Sequence, residues 1–167
     1  TDCTSWFWKA SNLKAIARLD YLNTVNCQSM AQMFGDCGSL TSLDLSFFNT
    51  AKVMNMSQML RNLSSVTELD LSSFDTSNVQ NFWQTFIGDR NLETIYVSDT
   101  FVTNKVTDSS EMFTGCTSLV GGKGTAFDSA KIDGKMAHID AVGNPGYLSR
   151  KGDKPDKPDE PGEDDPG

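Results

Sequence analysis

Apolar and polar positions recur along this chain with a long period. Three phrases show it best: Ser39-Leu40-Thr-Ser-Leu43-Asp-Leu45-Ser, Ser65-Val66-Thr-Glu-Leu69-Asp-Leu71-Ser and Asn91-Leu92-Glu-Thr-Ile95-Tyr-Val97-Ser. A degenerate start stands at Asn12-Leu13-Lys-Ala-Ile16. The anchors Leu13, Leu40, Val66, Leu92 and Leu119 are 27, 26, 26 and 27 residues apart. Self-similarity at a fixed period of this length marks stacked repeats, because one unit cannot bury its apolar face alone.

Within each copy the spacing changes. The leucine phrase alternates with period two, as a half-buried strand does. A turn follows, Phe48-Asn49-Thr50 or Phe74-Asp75-Thr76-Ser77-Asn78. Then come Cys27, Val53, Val79 or Val106 and, three residues on, Met30, Met56, Phe82 or Ser109. The pairs Met33-Phe34, Met59-Leu60, Thr85-Phe86 and Met112-Phe113 follow, and a final core slot holds Cys37, Leu63, Asp89 and Cys116. Spacings of three and four predict one or two helical turns per copy. The expected fold is therefore α/β: a leucine-rich-repeat-like solenoid with a short parallel β-sheet and short helical turns.

Three regions are expected. Residues 1–119 form about five partial repeats. Residues 120–149 lose the pattern and read as a C-terminal cap over the last rung, since an uncovered sheet edge invites aggregation. Residues 150–167 read as an acidic, proline-rich disordered linker, with four of the five prolines and almost no apolar side chain. Asp2-Cys3-Thr4-Ser5-Trp6-Phe7 matches the second half of a copy, so a cap or further rungs are expected before it. Thr1 and the want of a basic-then-apolar leader fit a mature or excised fragment.

Met33-Phe34-Gly-Asp-Cys37-Gly-Ser-Leu40-Thr-Ser-Leu43-Asp-Leu45-Ser and Phe74-Asp75-Thr76-Ser77-Asn78-Val79 resemble the repeats, about 26 residues long, of bacterial surface proteins grouped with the BspA-like leucine-rich repeats. Ser118-Leu119-Val120-Gly121-Gly122-Lys-Gly124-Thr125-Ala-Phe127-Asp128-Ser129 and Asn144-Pro145-Gly146-Tyr147 resemble the closing segment of those proteins. The likeness covers about residues 1–149. It implies extracellular display on the bacterial surface and attachment to host or microbial macromolecules.

Charge narrows the partners. The net charge is -8, and the 150–167 tail, with four basic and seven acidic residues, carries -3 of it. The body has no basic patch, which argues against nucleic acid and against an anionic membrane surface. No run of about 18 apolar residues suggests a membrane span. The expected partner is a protein or glycan on a host or microbial surface.

Little catalytic chemistry is legible. The lone His138 has no identifiable nucleophile or orienting acid beside it, so a structural role is expected. Gly121-Gly122-Lys123-Gly124-Thr125 resembles a phosphate loop, but Thr117 stands where its first glycine should be and no Ser or Thr directly follows the lysine. It reads as a turn in the cap. Cys37 and Cys116 share a slot three rungs apart, about 14 Å at strand spacing, too far to bridge. A bridge between Cys3 and Cys27 stays open. No enzyme activity, cofactor or metal is expected.

Aligned repeats reveal which outward slots break their own pattern. One holds Trp8, Gly35, Arg61, Ile87 and Thr114; another holds Thr4, Ala31, Ser57, Trp83 and Ser110. Met54 stands beside Gln28, Gln80 and Thr107. Large apolar groups and an arginine on a Ser/Gln/Thr surface are what interface centres favour. Trp8, Met54, Arg61, Trp83 and Ile87 are therefore read as a partner-binding strip. The rival reading tucks Trp83 into a local register shift caused by Asp89. The strand face with Asp44, Glu68, Asp70 and Tyr96 is a second candidate, where calcium is disfavoured because Tyr96 breaks the carboxylate column. Two roles stay in contention: a non-catalytic, adhesin-like surface module, and a passive stalk or spacer.

Overall fold

The computed structural model describes residues 2–153. Successive copies of the period lie side by side, joined by parallel pairings. A ladder of single bridges runs Asp2, Ser29, Asn55, Asn81, Asp108. A separate three-stranded parallel sheet contains β1 (Glu68–Asp70), β2 (Thr94–Val97) and β3 (Ser149–Arg150), in that order. Leu69 pairs with Ile95, and Tyr96 with Ser149.

The expected α/β leucine-rich-repeat-like solenoid with helical turns is overturned. The described residues are mostly coil with three short parallel strands, and they contain no α-helix. Among the described residues the helical elements are two single 3-10 turns, Leu19–Tyr21 and Gly134–Met136. The reason lies in where the backbone N–H groups go. An α-helix needs each N–H to reach the carbonyl four residues back. Here Met30, Gln32, Phe34 and Asp36 donate instead to the carbonyls of Asn55, Ser57, Met59 and Arg61 in the next rung, each at 2.9 Å. The intervening N–H groups close tight turns, Met33 onto Met30 at 3.2 Å and Gly35 onto Gln32 at 3.1 Å. Spacings of three and four come from these consecutive turns, which imitate the period of a helix.

Left-handed backbone is the cost of this ribbon. Ser5, Gln32, Gln58, Gln84 and Glu111 all have φ between 53° and 60°. A side chain there costs about 1–2 kcal/mol. The residue types offset it. Gln32 Nε2 donates to Gln58 Oε1 at 2.8 Å, Gln58 Nε2 to Gln84 Oε1 at 2.7 Å, and Gln84 Nε2 to Glu111 Oε2 at 2.9 Å. Ser5 Oγ opens the ladder by donating to Gln32 Oε1 at 3.1 Å.

Apolar side chains fill the space between ribbon and sheet. Cys37, Leu63, Asp89 and Cys116 occupy one buried column, as do Leu40, Val66, Leu92 and Leu119. Phe7 stacks on Phe34 at 5.2 Å and Phe86 on Phe113 at 5.5 Å between ring centroids. Cys3 and Cys27 form a disulfide that ties the first rung to the second, while Cys37 and Cys116 are free thiols. The segment Leu43 to Leu45, expected as a strand, forms none; the Ser73 hydroxyl donates to the Leu45 carbonyl at 3.2 Å.

Beyond Leu119 the chain covers the last rung. Phe113 N–H donates to Ile132 at 2.9 Å, and the buried Tyr147 meets Phe113 edge-on at 5.3 Å. The Gly121-to-Thr125 loop does wrap an anion, but an internal one. Asp140 accepts from Lys123 N at 2.8 Å, Thr125 N at 3.0 Å, Thr125 Oγ1 at 2.7 Å and Gly146 N at 3.1 Å. Most of the expected linker, residues 154–167, lies outside the described residues. No described helix is long and apolar enough to cross a membrane.

Candidate functional site

The five strip residues end up in three settings. Trp8 and Arg61 come together across Gly35, where an added Cβ would lie 3.2 Å from Arg61 Cγ and 3.4 Å from Trp8 Cδ1. Asp36 ties them: Oδ1 accepts from Arg61 Nε at 3.2 Å and from Asn62 Nδ2 at 2.7 Å, and Oδ2 accepts from Trp8 Nε1 at 3.2 Å. Burial works against that carboxylate, but these donors hold it below the usual range. Trp83 and Ile87 follow in the adjoining rung, both half-buried. No register shift accompanies Trp83. Its N–H caps Asn81 Oδ1 at 2.8 Å as Ser57 N–H caps Asn55, and Asp89 keeps the slot of its counterparts. Met54 lines a separate shallow depression with Asp2, Gln28, Ser29 and Asn55.

The strand-face residues, by contrast, share one cleft of about 350 Å³. Asp44, Glu68, Asp70 and Tyr96 line it together with Ser42, Leu43, Lys151 and Gly152. The pleat explains the grouping. Leu69, Leu71, Ile95 and Val97 turn into the core, so alternate positions project outward on neighbouring rungs. Each aspartate is held by a serine two residues on: Asp44 Oδ1 accepts from Ser46 N and Oγ, and Asp70 Oδ1 from Ser72 N and Oγ. The remaining carboxylate oxygens are left to the cleft.

Lys151 completes it. Its Nζ lies 2.7 Å from Asp70 Oδ2, reaching back past Tyr96 from the residue after β3. Asp70 is held below the usual carboxylate range by Lys151 and Ser72, against the opposing effect of burial. Asp44 is lowered by Ser46. Tyr96 is raised, first by burial and then by Glu68 and Asp70. The cleft is thus acidic with an aromatic wall, and one of its carboxylates already holds a cation.

Two features escaped the sequence reading. Lys151 belongs to no repeat, and nothing in the chain's pattern links it to Asp70. Tyr21 and Phe47 are 72% and 61% exposed, the most exposed aromatic side chains described. They stand in one slot with Ser73 and Thr100, so the same search for outliers would have found them. His138 sits in the cap with Nε2 buried and unpartnered. Among the described residues no group of three or more His, Cys, Asp or Glu side chains is arranged to hold a metal ion.

Residues 1–125 match the family described as "Mycoplasma protein of unknown function, DUF285". That match spans most of the chain, and the chain belongs to this family. No curated protein matches it. No solved structure matches it.

Proposed function

We propose that this member of the DUF285 family is a non-catalytic binding module displayed on a bacterial surface, holding a host or microbial macromolecule on its strand face. One observation carries the reading: Asp44, Glu68, Asp70 and Tyr96, from three successive rungs, line a single cleft. Glu68, Asp70 and Tyr96 stand on the paired backbone of β1 and β2, and Ser46 braces Asp44, so a partner meets a preorganised surface and little ordering entropy opposes binding. The Cys3–Cys27 disulfide accords with an oxidising, extracellular setting. The Trp8–Asp36–Arg61 group, with Trp83 and Ile87, is a second contact area in this proposal, and the broken slots of the repeat support it.

Binding of the purified chain to an array of matrix proteins, mucins and bacterial surface glycans tests this. Saturable binding lost in a folded Tyr96→Ala variant supports the strand-face site. Loss in Trp83→Ala alone moves the site to the strip. Silence from the intact chain and both variants favours a spacer.

A further inference from the structure

One turn of the ribbon is closed differently from its counterparts. In the other copies the residue in the final core slot donates its backbone N–H to the carbonyl three residues back. Ala10 donates to Phe7 at 3.1 Å, Cys37 to Phe34 at 3.3 Å, Asp89 to Phe86 at 3.3 Å and Cys116 to Phe113 at 3.1 Å. Between Leu60 and Leu63 that bond is missing. The Leu63 N–H goes to Asp89 Oδ1 at 2.7 Å, and no donor among the described residues reaches the Leu60 carbonyl. The other carboxyl oxygen, Asp89 Oδ2, is buried without a partner.

The same slot in other rungs shows what should join them. Cys37 Sγ donates to Phe7 O and Cys116 Sγ to Phe86 O, both at 3.0 Å, so a side chain here reaches the carbonyl of the preceding rung. For Asp89 the matching carbonyl is that of Leu60. A carboxylate has no proton to give, whereas a neutral carboxyl donates from one oxygen and still accepts at the other. We propose that Asp89 is a neutral acid inserted into the 60–63 turn, donating from Oδ2 to Leu60 O while accepting from Leu63 N–H, and that its ionisation opens this turn as a pH-sensitive latch.

The surroundings favour the neutral form. Leu60, Leu63 and Asp89 are all buried, and burial raises the carboxyl well above its ordinary range. From the following rung the Cys116 thiol faces it, itself raised by burial and then by Asp89, so it brings no charge at neutral pH. On the preceding rung Arg61 is paired with Asp36 at 3.2 Å, and Arg90, next to Asp89 in the chain, is exposed. Among the described residues no cation pairs with Asp89.

The turn also carries a surface group. Arg61 and Asn62 lie within it and donate to Asp36 Oδ1 at 3.2 and 2.7 Å, while Asp36 Oδ2 accepts from Trp8 Nε1 at 3.2 Å. Opening the turn therefore loosens the Trp8–Asp36–Arg61 group. Below the folded pKa the latch is shut, and each pH unit above it favours opening by about tenfold. The latch goes beyond the binding reading and stands whether or not that group meets a partner.

The test is nuclear magnetic resonance on the full chain from about pH 4 to about pH 9, a range that spans the ordinary carboxylate value and well above it. The Asp89 carboxyl carbon should titrate above the ordinary carboxylate range. Past that midpoint, protection of the Leu63 N–H should fall by about tenfold per pH unit after correction for base-catalysed exchange. The N–H groups of Cys37 and Cys116, whose turns close on the main chain, should stay protected. The Trp8 indole N–H should shift with the Asp89 midpoint. Asp89→Asn, whose amide can donate to Leu60 O and accept from Leu63 N–H, should keep Leu63 protected and Trp8 unmoved throughout. Asp89→Leu, which repeats the residue of the preceding copy, should do the same by letting Leu63 close on Leu60. An Asp89 carbon that titrates in the ordinary range overturns the inference. So does Leu63 protection that follows pH alike in the intact chain and a folded variant, or that is lost together with Cys37 and Cys116. A Trp8 indole indifferent to the Asp89 midpoint overturns the link to the surface group.

Discussion

The backbone N–H of Leu63 donates to Asp89 Oδ1 at 2.7 Å, from one rung to the next, inside an otherwise apolar column. The second oxygen, Oδ2, is buried without a partner. The titratable group facing it is the Cys116 thiol, itself pushed up by burial and then by Asp89, and donating to Phe86 O at 3.0 Å. Burial raises Asp89 well above the ordinary carboxylate range. A carboxyl raised on folding stabilises fully below its unfolded pKa of about 4, and that contribution is lost as pH rises toward the folded value. Stability should therefore fall across this window by up to about 1.4 kcal/mol per pH unit from this group. Asp89→Asn keeps an acceptor for Leu63 and removes the titration. Urea unfolding at pH 5 and pH 7 should show a flatter dependence in that variant.

Asp140 should behave in the opposite sense. Donors from Thr125, Gly146 and Lys123 outweigh its burial and lower it, so its contribution is present above about pH 4 and is lost as pH falls through the folded value. Asp140→Asn turns an acceptor into a donor facing N–H groups and should cost about 2 kcal/mol at neutral pH. Hydrogen exchange at Lys123, Thr125 and Gly146 should accelerate first, before the repeats respond.

The disulfide joins residues separated by 24 in sequence. Closing a loop of that size removes unfolded-state entropy worth about 3 kcal/mol. A Cys3→Ser, Cys27→Ser chain should unfold at correspondingly lower urea. Adding dithiothreitol should lower the midpoint of the intact chain but leave that variant unchanged, since Cys37 and Cys116 are free in both.

Gln58 tests the amide ladder. It is buried, left-handed at φ 55° and bonded to Gln32 and Gln84. Gln58→Ala loses both side-chain bonds and keeps the strain of a Cβ at positive φ. Gln58→Gly loses the same bonds and relieves the strain. The glycine variant should be the more stable of the two by about 1 kcal/mol in thermal or urea unfolding, the reverse of the order in an α-helix.

Much of the burial was legible in the chain. The 26-residue period placed Leu40, Leu63, Leu92 and Cys116 in core slots, and all are buried. It also put Asp44, Glu68, Asp70 and Tyr96 on the outward side of the leucine phrase, where they line one cleft. The spacings of three and four also predicted one or two helical turns in each copy, where the described residues contain no α-helix. Two overlapping turns place apolar side chains every three to four residues, as a helix does. Periodicity reports which side chains face the core and is blind to the direction of the N–H groups.

By itself, then, the sequence determined the period, the faces and the polar slots, because these follow from the order of apolar and polar residues along a single rung. The tertiary structure alone decided the ribbon, since its N–H groups bond to carbonyls about 26 residues away. It also decided the Cys3–Cys27 bridge and the seating of Asp140 in its glycine loop. Lys151 entered the cleft the same way: 81 residues separate it from Asp70, and only the pairing of β3 with β2 brings the two within 2.7 Å.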